Sequence, residues 1–175
     1  MVETLRESVS EKYDFDVQQI SAQEIQEVSV SSTKIRKALQ DGNIVLANEY
    51  LGYDYFFTGI VQIGKQLGRT IGFPTANINI PENYKLIPKN GVYIVKSNFQ
   101  NETIFGVMNI GTNPTVEGKN LSIEVYYLNH NSNLYGQKVK VSILAYIRDE
   151  KKFESVDLLR QQLEKDVATA LAFVD

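Results

Sequence analysis

A glycine-rich segment, residues 64–77, could hold a polyphosphate. Glycine lets backbone N–H groups approach phosphate oxygens closely, and nearby cations offset the negative charge. The residues suited to this task are Gly64, Lys65, Gly68, Arg69 and Gly72. Glycine-rich turns also join strands without binding anything, so the spacing alone leaves both interpretations open.

Two neutral oxygen donors follow at the end of the same segment. Thr75 and Asn77 are two residues apart, so on an extended chain their side chains point to one side. Mg²⁺ prefers oxygen ligands and usually keeps phosphates and waters as well, which makes this pair a candidate metal site. The alternative is that both side chains only cap the turn.

A P-loop is excluded by the sequence just before this segment. Gly59 to Gln66 almost matches G-x-x-x-x-G-K-[ST], but Gln66 replaces the hydroxyl that would hold the metal. The intervening residues resemble a strand, and no helix is predicted to follow.

Glu124 is a candidate general base. It interrupts a run of β-branched and aromatic residues, where an acid is disfavoured. Alternation places Ile123 and Val125 in the core and Glu124 outside, as it would for any surface residue. At the mouth of a barrel, its carboxylate could instead accept a proton.

Two further segments could line a pocket. The turn at residues 109–115 is rich in Asn and Gly. The charged run at residues 148–153 is either a solvated cluster or a flap over a ligand, with Phe153 as a stacking surface. The lone His130, in a run of Asn and Ser, is predicted to be an exposed loop residue.

Composition excludes several kinds of site and partner. The 175 residues include no Cys and one His, which excludes thiolate metal sites, Cys nucleophiles, iron–sulfur clusters and His-rich metal cages. With 18 basic and 21 acidic residues the net charge is -3, which argues against a general nucleic-acid or anionic-membrane partner. No membrane span or signal-peptide pattern is found, so we expect a cytoplasmic protein.

Hydrophobic patterning predicts a mainly β protein. Runs rich in Val, Ile, Tyr and Phe, separated by Gly, Asn and Pro clusters, indicate strands at 56–63, 91–99, 103–111, 121–128 and 138–147. Because no helices separate them, they favour an antiparallel β-barrel of about six strands.

A final helix is predicted to pack against this barrel, with Ser155 as its N-cap. Its apolar residues recur at helical spacing. They are Val156, Leu159, Leu163, Val167, Ala170, Leu171 and Val174.

The composition changes near residue 55. Before it, the sequence predicts a strand over 15–20, a helix that begins after Ser31-Ser32-Thr33 and ends at Gly42, and a second helix over 44–51. We therefore predict a short helical segment, residues 1–54, ahead of a barrel domain at residues 55–175.

Six motifs make the barrel region similar to the riboflavin kinase (flavokinase) family. One such motif would be weak evidence, whereas six in the family's order are highly specific. They are Gly-Phe-Pro-Thr-Ala-Asn (72–77), Gly-Val-Tyr (91–93), Asn-Ile-Gly-Thr-Asn-Pro-Thr (109–115), Glu-Val-Tyr (124–126), Leu-Tyr-Gly (134–136) and Arg148 through Phe153. The resemblance implies a six-stranded Greek-key β-barrel with a C-terminal α-helix.

The resemblance also implies a reaction, in which ATP donates its γ-phosphoryl group to the 5′-hydroxyl of riboflavin and gives FMN and ADP. Thr75 and Asn77 would hold Mg²⁺, or Zn²⁺ as in some members, and Glu124 would be the catalytic base. ATP would be bound by Gly64, Gly68, Arg69, Thr75, Asn77 and Tyr135. The flavin would be contacted by Asn109, Gly111, Asn113, Arg148, Lys151 and Phe153.

Residues 30–36, Val-Ser-Ser-Thr-Lys-Ile-Arg, resemble a different catalytic half. They are similar to the late phosphate-binding motif in the adenylyltransferase half of bacterial bifunctional riboflavin kinase/FAD synthetases. Residues 1–54 would then be the tail of that half, too short to build a nucleotide-binding parallel sheet. FAD synthesis is therefore not expected from this chain.

Two positions depart from the family pattern. Many members carry His where this chain has Tyr126, and Asp-Phe where it has Asn129-His130, so no essential role is assigned to these residues. A non-catalytic, regulatory flavin- or nucleotide-binding barrel is the alternative function, and the intact metal pair and base argue against it. Riboflavin and ATP are the expected partners, nucleic acid and membranes are not, and self-association is left open.

Overall fold

The structure, a computed structural model, describes residues 24–25, 28–64, 66–99, 102–115, 118–130 and 132–174. The chain forms two units, Met1–Val30 and Ser31–Asp175. In the first unit, strand β1 (Glu24–Ile25) pairs antiparallel with β2 (Val28–Ser29). The strand predicted over 15–20 lies outside the described residues. Among the described helices, none is long and apolar enough to cross a membrane.

The second unit begins with two short helices, α1 (Ser32–Asp41) and α2 (Ile44–Leu51). The Ser31 hydroxyl accepts a hydrogen bond from the Lys34 backbone N–H at 3.3 Å and so caps α1. Gly42 ends α1 in the left-handed region, at φ 80°, where glycine carries no steric penalty. Both helices predicted for this segment are confirmed.

Six strands then close into an antiparallel barrel. They are β3 (Phe56–Gln62), β4 (Ala76–Asn79), β5 (Gly91–Phe99), β6 (Glu102–Thr115), β7 (Gly118–Tyr127) and β8 (Lys138–Arg148). Their hydrogen-bonded order is β3-β4-β7-β6-β5-β8, and β8 pairs with β3. Because β5, β6 and β7 form a meander and β4 lies beside β7, the topology is a Greek key. The predicted barrel is confirmed, but the turn predicted at residues 109–115 is wrong, because this segment continues β6 and pairs with β7 up to Thr115.

Alternate residues of the strands point inward and fill the barrel, as a period of two requires. In β3, Phe57 and Val61 are buried, whereas Ile60 is 41% exposed. The inward-facing core also includes Tyr93, Val95, Met108, Ile110, Ile123, Val125, Val139, Val141 and Ile143. The alternate, outward-facing side chains do not fill the core and can therefore contact a ligand.

Helices α1 and α2 pack on the barrel. Leu39, Ile44 and Ala47 belong to the same buried cluster as the barrel interior. The Asn48 amide donates to the Ile143 carbonyl of β8 at 3.0 Å. The predicted domain boundary between residues 54 and 55 stays a prediction.

Helix α4 (Val156–Val174) ends the fold, and the Ser155 hydroxyl caps it by accepting from the Leu158 backbone N–H at 3.2 Å. Ala170 of this helix packs on the outer barrel face against Val92, Ile94, Val107 and Leu128, with Val167 beside them. The helix therefore covers one side of the barrel wall, as predicted.

The residues that α4 buries against the barrel differ from the apolar residues predicted to face it. Val156 and Leu171 are 52% and 39% exposed, whereas the charged Asp166 is only 1% exposed. Hydrophobic spacing could not predict a buried carboxylate, because its partner, described below, lies on a strand.

Candidate active site

Three of the predicted site residues lie in one row across neighbouring strands. In the antiparallel registers, Glu124 of β7 is the direct partner of Asn77 in β4 and of Asn109 in β6. Directly opposed residues present their side chains on the same face of a sheet. Because the neighbouring Ile123 and Val125 point into the core, this row lies on the outer face of the barrel.

The Glu124 carboxylate is held by two hydroxyl groups. Thr75 Oγ1 donates to Glu124 Oε2 at 3.0 Å, and Ser122 Oγ donates to Glu124 Oε1 at 3.1 Å. A carboxylate has about four acceptor sites, so two such bonds fix its orientation and leave capacity for a further proton donor. The half-buried Glu124 carboxylate is therefore fixed in orientation and able to accept a proton.

Thr75 and Asn77 can supply oxygen ligands to a hard cation beside this carboxylate. The Thr75 hydroxyl donates a hydrogen bond to Glu124, and no described residue donates one to the Thr75 oxygen. The described part of the chain holds no group of three or more His, Asp or Glu residues that could bind a metal. A metal here would thus need phosphate and water oxygens as well, which is the coordination typical of Mg²⁺.

Two glycines of the predicted phosphate loop have close neighbours, a movable side chain at Gly64 and fixed backbone at Gly68. A Cβ at Gly64 would lie 2.1 Å from Asn77 Nδ2, and a Cβ at Gly68 would lie 2.2 Å from the Phe73 carbonyl oxygen. The Phe73 N–H also donates to the Gly68 carbonyl at 2.8 Å. The loop therefore folds back on itself and on β4.

A short helix, α3 (Leu67–Thr70), lies within this loop. The sequence interpretation had no helix here, because four residues are too few to show a helical period. Gln66, just before it, has a φ of 56°, which is uncommon for a residue with a side chain. Lys65 lies outside the described residues.

Two clefts meet at this loop. The first, the helix-side cleft, has a volume of about 340 Å³ and lies between the outer barrel face and α4. The second, the loop-side cleft, has a volume of about 420 Å³ and lies between the glycine loop and the segment after β7. Gln66 and Thr75 line both clefts. Thr75 and the carboxylate that it contacts therefore stand at the junction.

The helix-side cleft combines apolar walls with cations. Its apolar lining includes Leu67, Ile71, Phe73, Val92, Val107, Tyr126, Phe153, Leu159, Leu163 and Val167. The rings of Phe73 and Tyr126 meet edge to face at 5.2 Å. The Arg148 guanidinium carbon and Lys151 Nζ lie 5.8 and 5.9 Å from the centre of the Phe153 ring. Such a cleft suits a flat aromatic ligand.

The structure brings most of the predicted residues to these clefts. Those lining the helix-side cleft are Gly68, Thr75, Asn109, Glu124, Arg148, Lys151 and Phe153. Those lining the loop-side cleft are Arg69, Thr75 and Tyr135.

Three predicted residues whose surroundings are described, Gly64, Asn77 and Gly111, line neither cleft. Gly64 packs against Asn77, and Gly111 packs against Glu150, whose Oε1 would lie 2.2 Å from an added Cβ. The side chain of Asn113 is not among those that the structure describes.

His130 differs from its prediction as an exposed loop residue. It is half-buried, lines the loop-side cleft, and stacks on Phe99 with ring centres 5.4 Å apart. Its Nε2 is buried and has no hydrogen-bond partner in the described part of the chain. The surrounding Asn and Ser gave no signal of this packing, because Phe99 is far away in sequence.

Three further side chains line the helix-side cleft without having been predicted individually as site residues: Gln66, Glu150 and Asp166. Gln66 and Glu150 lie within segments that the sequence had indicated, whereas Asp166 does not. Only the close Gly64–Gly68 spacing pointed to Gln66, and nothing local pointed to Asp166.

Burial also acts on a tyrosine of the loop-side cleft. Desolvation raises the pKa of Tyr127 to about 12, although its hydrogen bond with Ser97 works in the opposite direction. The two hydroxyl oxygens are 2.9 Å apart. This phenol therefore stays neutral at physiological pH and contributes a rigid, uncharged floor to the cleft.

Comparison with known proteins gives a family match and several relatives of similar sequence. The model of the riboflavin kinase (flavokinase) family matches residues 51–174. The bifunctional riboflavin kinase/FMN adenylyltransferase of Listeria monocytogenes is 44% identical over 91% of this chain and 51% of its own length. The Bacillus subtilis protein of the same name is 43% identical over 85% of this chain and 48% of its own length.

A solved structure has a similar fold. A crystal structure from Streptococcus pneumoniae, titled a macrolide-efflux protein, has a TM-score of 0.84 and 35% identity, covering 94% of this chain and 54% of the other. The chain spans about half the length of each of these three proteins. With a family match over most of its residues, the chain belongs to the riboflavin kinase family.

Proposed function

We propose that this chain transfers the γ-phosphoryl group of ATP to the 5′-hydroxyl of riboflavin, giving FMN and ADP. The observation that carries the proposal is the Thr75–Glu124 contact of 3.0 Å at the junction of the two clefts. A phosphoryl donor in one cleft and a hydroxyl acceptor in the other would meet at this point.

Glu124 acts as the general base. The acceptor hydroxyl gives its proton to the carboxylate as its oxygen forms a bond to the γ-phosphorus, and the bond between that phosphorus and ADP breaks. The hydrogen bonds from Thr75 and Ser122 hold the carboxylate in one orientation, so no reorganisation is needed at the moment of transfer.

Thr75 and Asn77 hold Mg²⁺, with Zn²⁺ as the alternative ion. When bound, such an ion neutralises charge on the transferring phosphates. The Asn77 side chain packs directly against the backbone of Gly64, which has no side chain of its own. The loop and the ligand pair are therefore built as one unit.

The loop-side cleft takes ATP. Arg69 adds a cation to a wall that is otherwise largely uncharged. Gly64 and Gly68 do not line this cleft themselves, but they let the loop that carries Arg69 fold closely against Asn77 and the Phe73 carbonyl. Tyr135, 41% exposed, offers a ring at the cleft edge.

The helix-side cleft takes the flavin. Its apolar lining and the Phe153 ring suit the isoalloxazine, while Asn109, Arg148 and Lys151 supply polar contacts. Gly111 lets Glu150 approach the 109–115 part of β6 closely, and Arg148, Lys151 and Phe153 of the 148–153 segment line the cleft. This arrangement orients the ribityl chain towards the carboxylate.

The proposal is tested by the dependence of ADP release on the acceptor. Riboflavin should stimulate ADP release, whereas lumiflavin, which has the ring but no ribityl hydroxyl, should not. Equal ADP release with both flavins would mean that water is the acceptor. Flavin binding without ADP release would point to the non-catalytic regulatory barrel.

A further inference from the structure

A buried ion pair ties the end of β8 to helix α4 at the wall of the helix-side cleft. Arg148 Nε donates to Asp166 Oδ1 at 3.0 Å and to Oδ2 at 3.2 Å, and Arg148 Nη2 donates to Oδ2 at 2.7 Å. The Asp166 side chain is 1% exposed, whereas that of Arg148 is 21% exposed. One partner is thus inside the structure, and the other reaches the cleft surface.

Further hydrogen bonds complete this arrangement. Gln162 Nε2, one helical turn before Asp166, donates to Asp166 Oδ1 at 2.9 Å. Arg148 Nη1 donates to the Asp149 carbonyl at 3.0 Å. Of the five guanidinium N–H groups, three are used in this way and two remain. Because all three guanidinium nitrogens bond to these two partner groups, the plane of the guanidinium is fixed.

Stability alone gives no sufficient reason for such a pair. Removing a carboxylate from water is costly, and replacing a buried ion pair with apolar side chains is often neutral or stabilising. The position of this pair is informative, since Arg148, Asp166 and Phe153 all line the helix-side cleft. The apolar residues Leu159, Leu163 and Val167 of the same helix form part of that wall.

We infer that Asp166 is a positioning residue for the flavin. It holds the Arg148 guanidinium beside Phe153 and holds α4 against the barrel, so that the two unused N–H groups of Arg148 and the apolar helix face meet the bound ring in one fixed geometry. The inference rests on the proposed function, because it names a residue that shapes the flavin cleft. It assigns Asp166 no contact with the reacting atoms.

The decisive measurement is the Kd for riboflavin of the full chain without ATP. Binding is detected by the quenching of flavin fluorescence. Asp166→Asn keeps the side-chain size but removes the charge and one acceptor oxygen. We expect the Kd for riboflavin to rise roughly tenfold to a hundredfold, because a displacement of about 1 Å in a positioning group has effects of this size. In steady-state assays, the KM for ATP should stay within about twofold of wild type, since no residue of this pair lines the loop-side cleft.

Glu164→Gln is the matched control. Glu164 lies on the same helix, is 54% exposed and pairs with Arg160 at the surface. This variant should bind riboflavin as wild type does. A folded Asp166→Asn with wild-type riboflavin affinity would overturn the inference, and so would a parallel rise in the KM values for both substrates, which indicates general damage.

A milder variant decides the matter if Asp166→Asn fails to fold. Gln162→Ala removes one donor and leaves the ion pair, so we expect a rise of about twofold to fivefold in the Kd for riboflavin and no change in the KM for ATP. No change in either would overturn the inference. If wild-type protein binds no flavin, the proposed function fails together with the inference. If wild-type protein binds riboflavin and the variants bind it with the same affinity, the inference alone fails.

Discussion

Replacing Glu124 with Gln tests the proposed base most sharply. Glutamine has nearly the same shape and keeps one oxygen, but its amide nitrogen cannot accept a proton. In the structure, the two carboxylate oxygens accept from Thr75 and Ser122 at 3.0 and 3.1 Å. One of these hydroxyls must turn and accept from the new amide, which a freely rotating hydroxyl can do.

The substitution should therefore affect turnover far more than stability. A general base typically contributes about 10²–10⁴ in rate, so kcat should fall by that factor, or about 3–5 kcal/mol in activation free energy. The free energy of unfolding should change by no more than about 1–2 kcal/mol, because each hydroxyl bond contributes about 1 kcal/mol and can be remade. Affinity for ATP should be unchanged, since Glu124 does not line the loop-side cleft.

The assay follows FMN formation by chromatography at saturating substrates, with binding of a non-hydrolysable ATP analogue measured by calorimetry. Glu102→Gln serves as the control, because Glu102 is an exposed residue at the start of β6. It should leave both quantities unchanged. A Glu124→Gln variant with wild-type turnover would refute the assignment of the base, and loss of ATP binding would mean that Glu124 acts on the nucleotide instead.

Three further predictions follow from the geometry. Asn77→Ala should abolish activity at low Mg²⁺ while leaving riboflavin binding intact, and a titration of activity against Mg²⁺ that matches wild type would reject the metal role. Gly68→Ala should raise the KM for ATP roughly tenfold or more, because its Cβ would lie 2.2 Å from the Phe73 carbonyl oxygen, which is backbone that must shift; an unchanged KM for ATP would show that the loop yields easily. Raising the pH from about 9 to about 11 should lower the free energy of unfolding, since burial raises the pKa of Tyr127 to about 12, so the folded state keeps a proton that the unfolded state releases near pH 10. Tyr127 alone accounts for about 1 kcal/mol at pH 11, and Tyr127→Phe should show a correspondingly weaker pH dependence in urea unfolding.

The barrel could be predicted because its strands alternate clearly. The run over 56–63 already shows Phe57 and Val61 on one side, and the structure buries both. Strand β4, only four residues long, escaped a pattern search. It becomes a strand because β3 and β7 both pair with it, which is a tertiary effect.

The site was predictable where chemistry depends on residue type at short spacing. Thr75 and Asn77 were proposed as metal ligands in this way, and the structure brings both beside Glu124, Thr75 through a hydrogen bond and Asn77 through the strand register. Asp166 could not be predicted, because its burial depends on Arg148, which is 18 residues away in sequence. His130 was misjudged for the same reason, since a stacking partner on another strand leaves no local trace.

The most direct test of the central claim is a product assay on this chain with riboflavin, ATP and Mg²⁺, in which the flavins are separated by chromatography and ADP is measured in parallel. We expect FMN and ADP in equal amounts, with no FAD. Bound flavin that is never converted to FMN would contradict the assignment of a phosphoryl-transfer site to the junction of the two clefts.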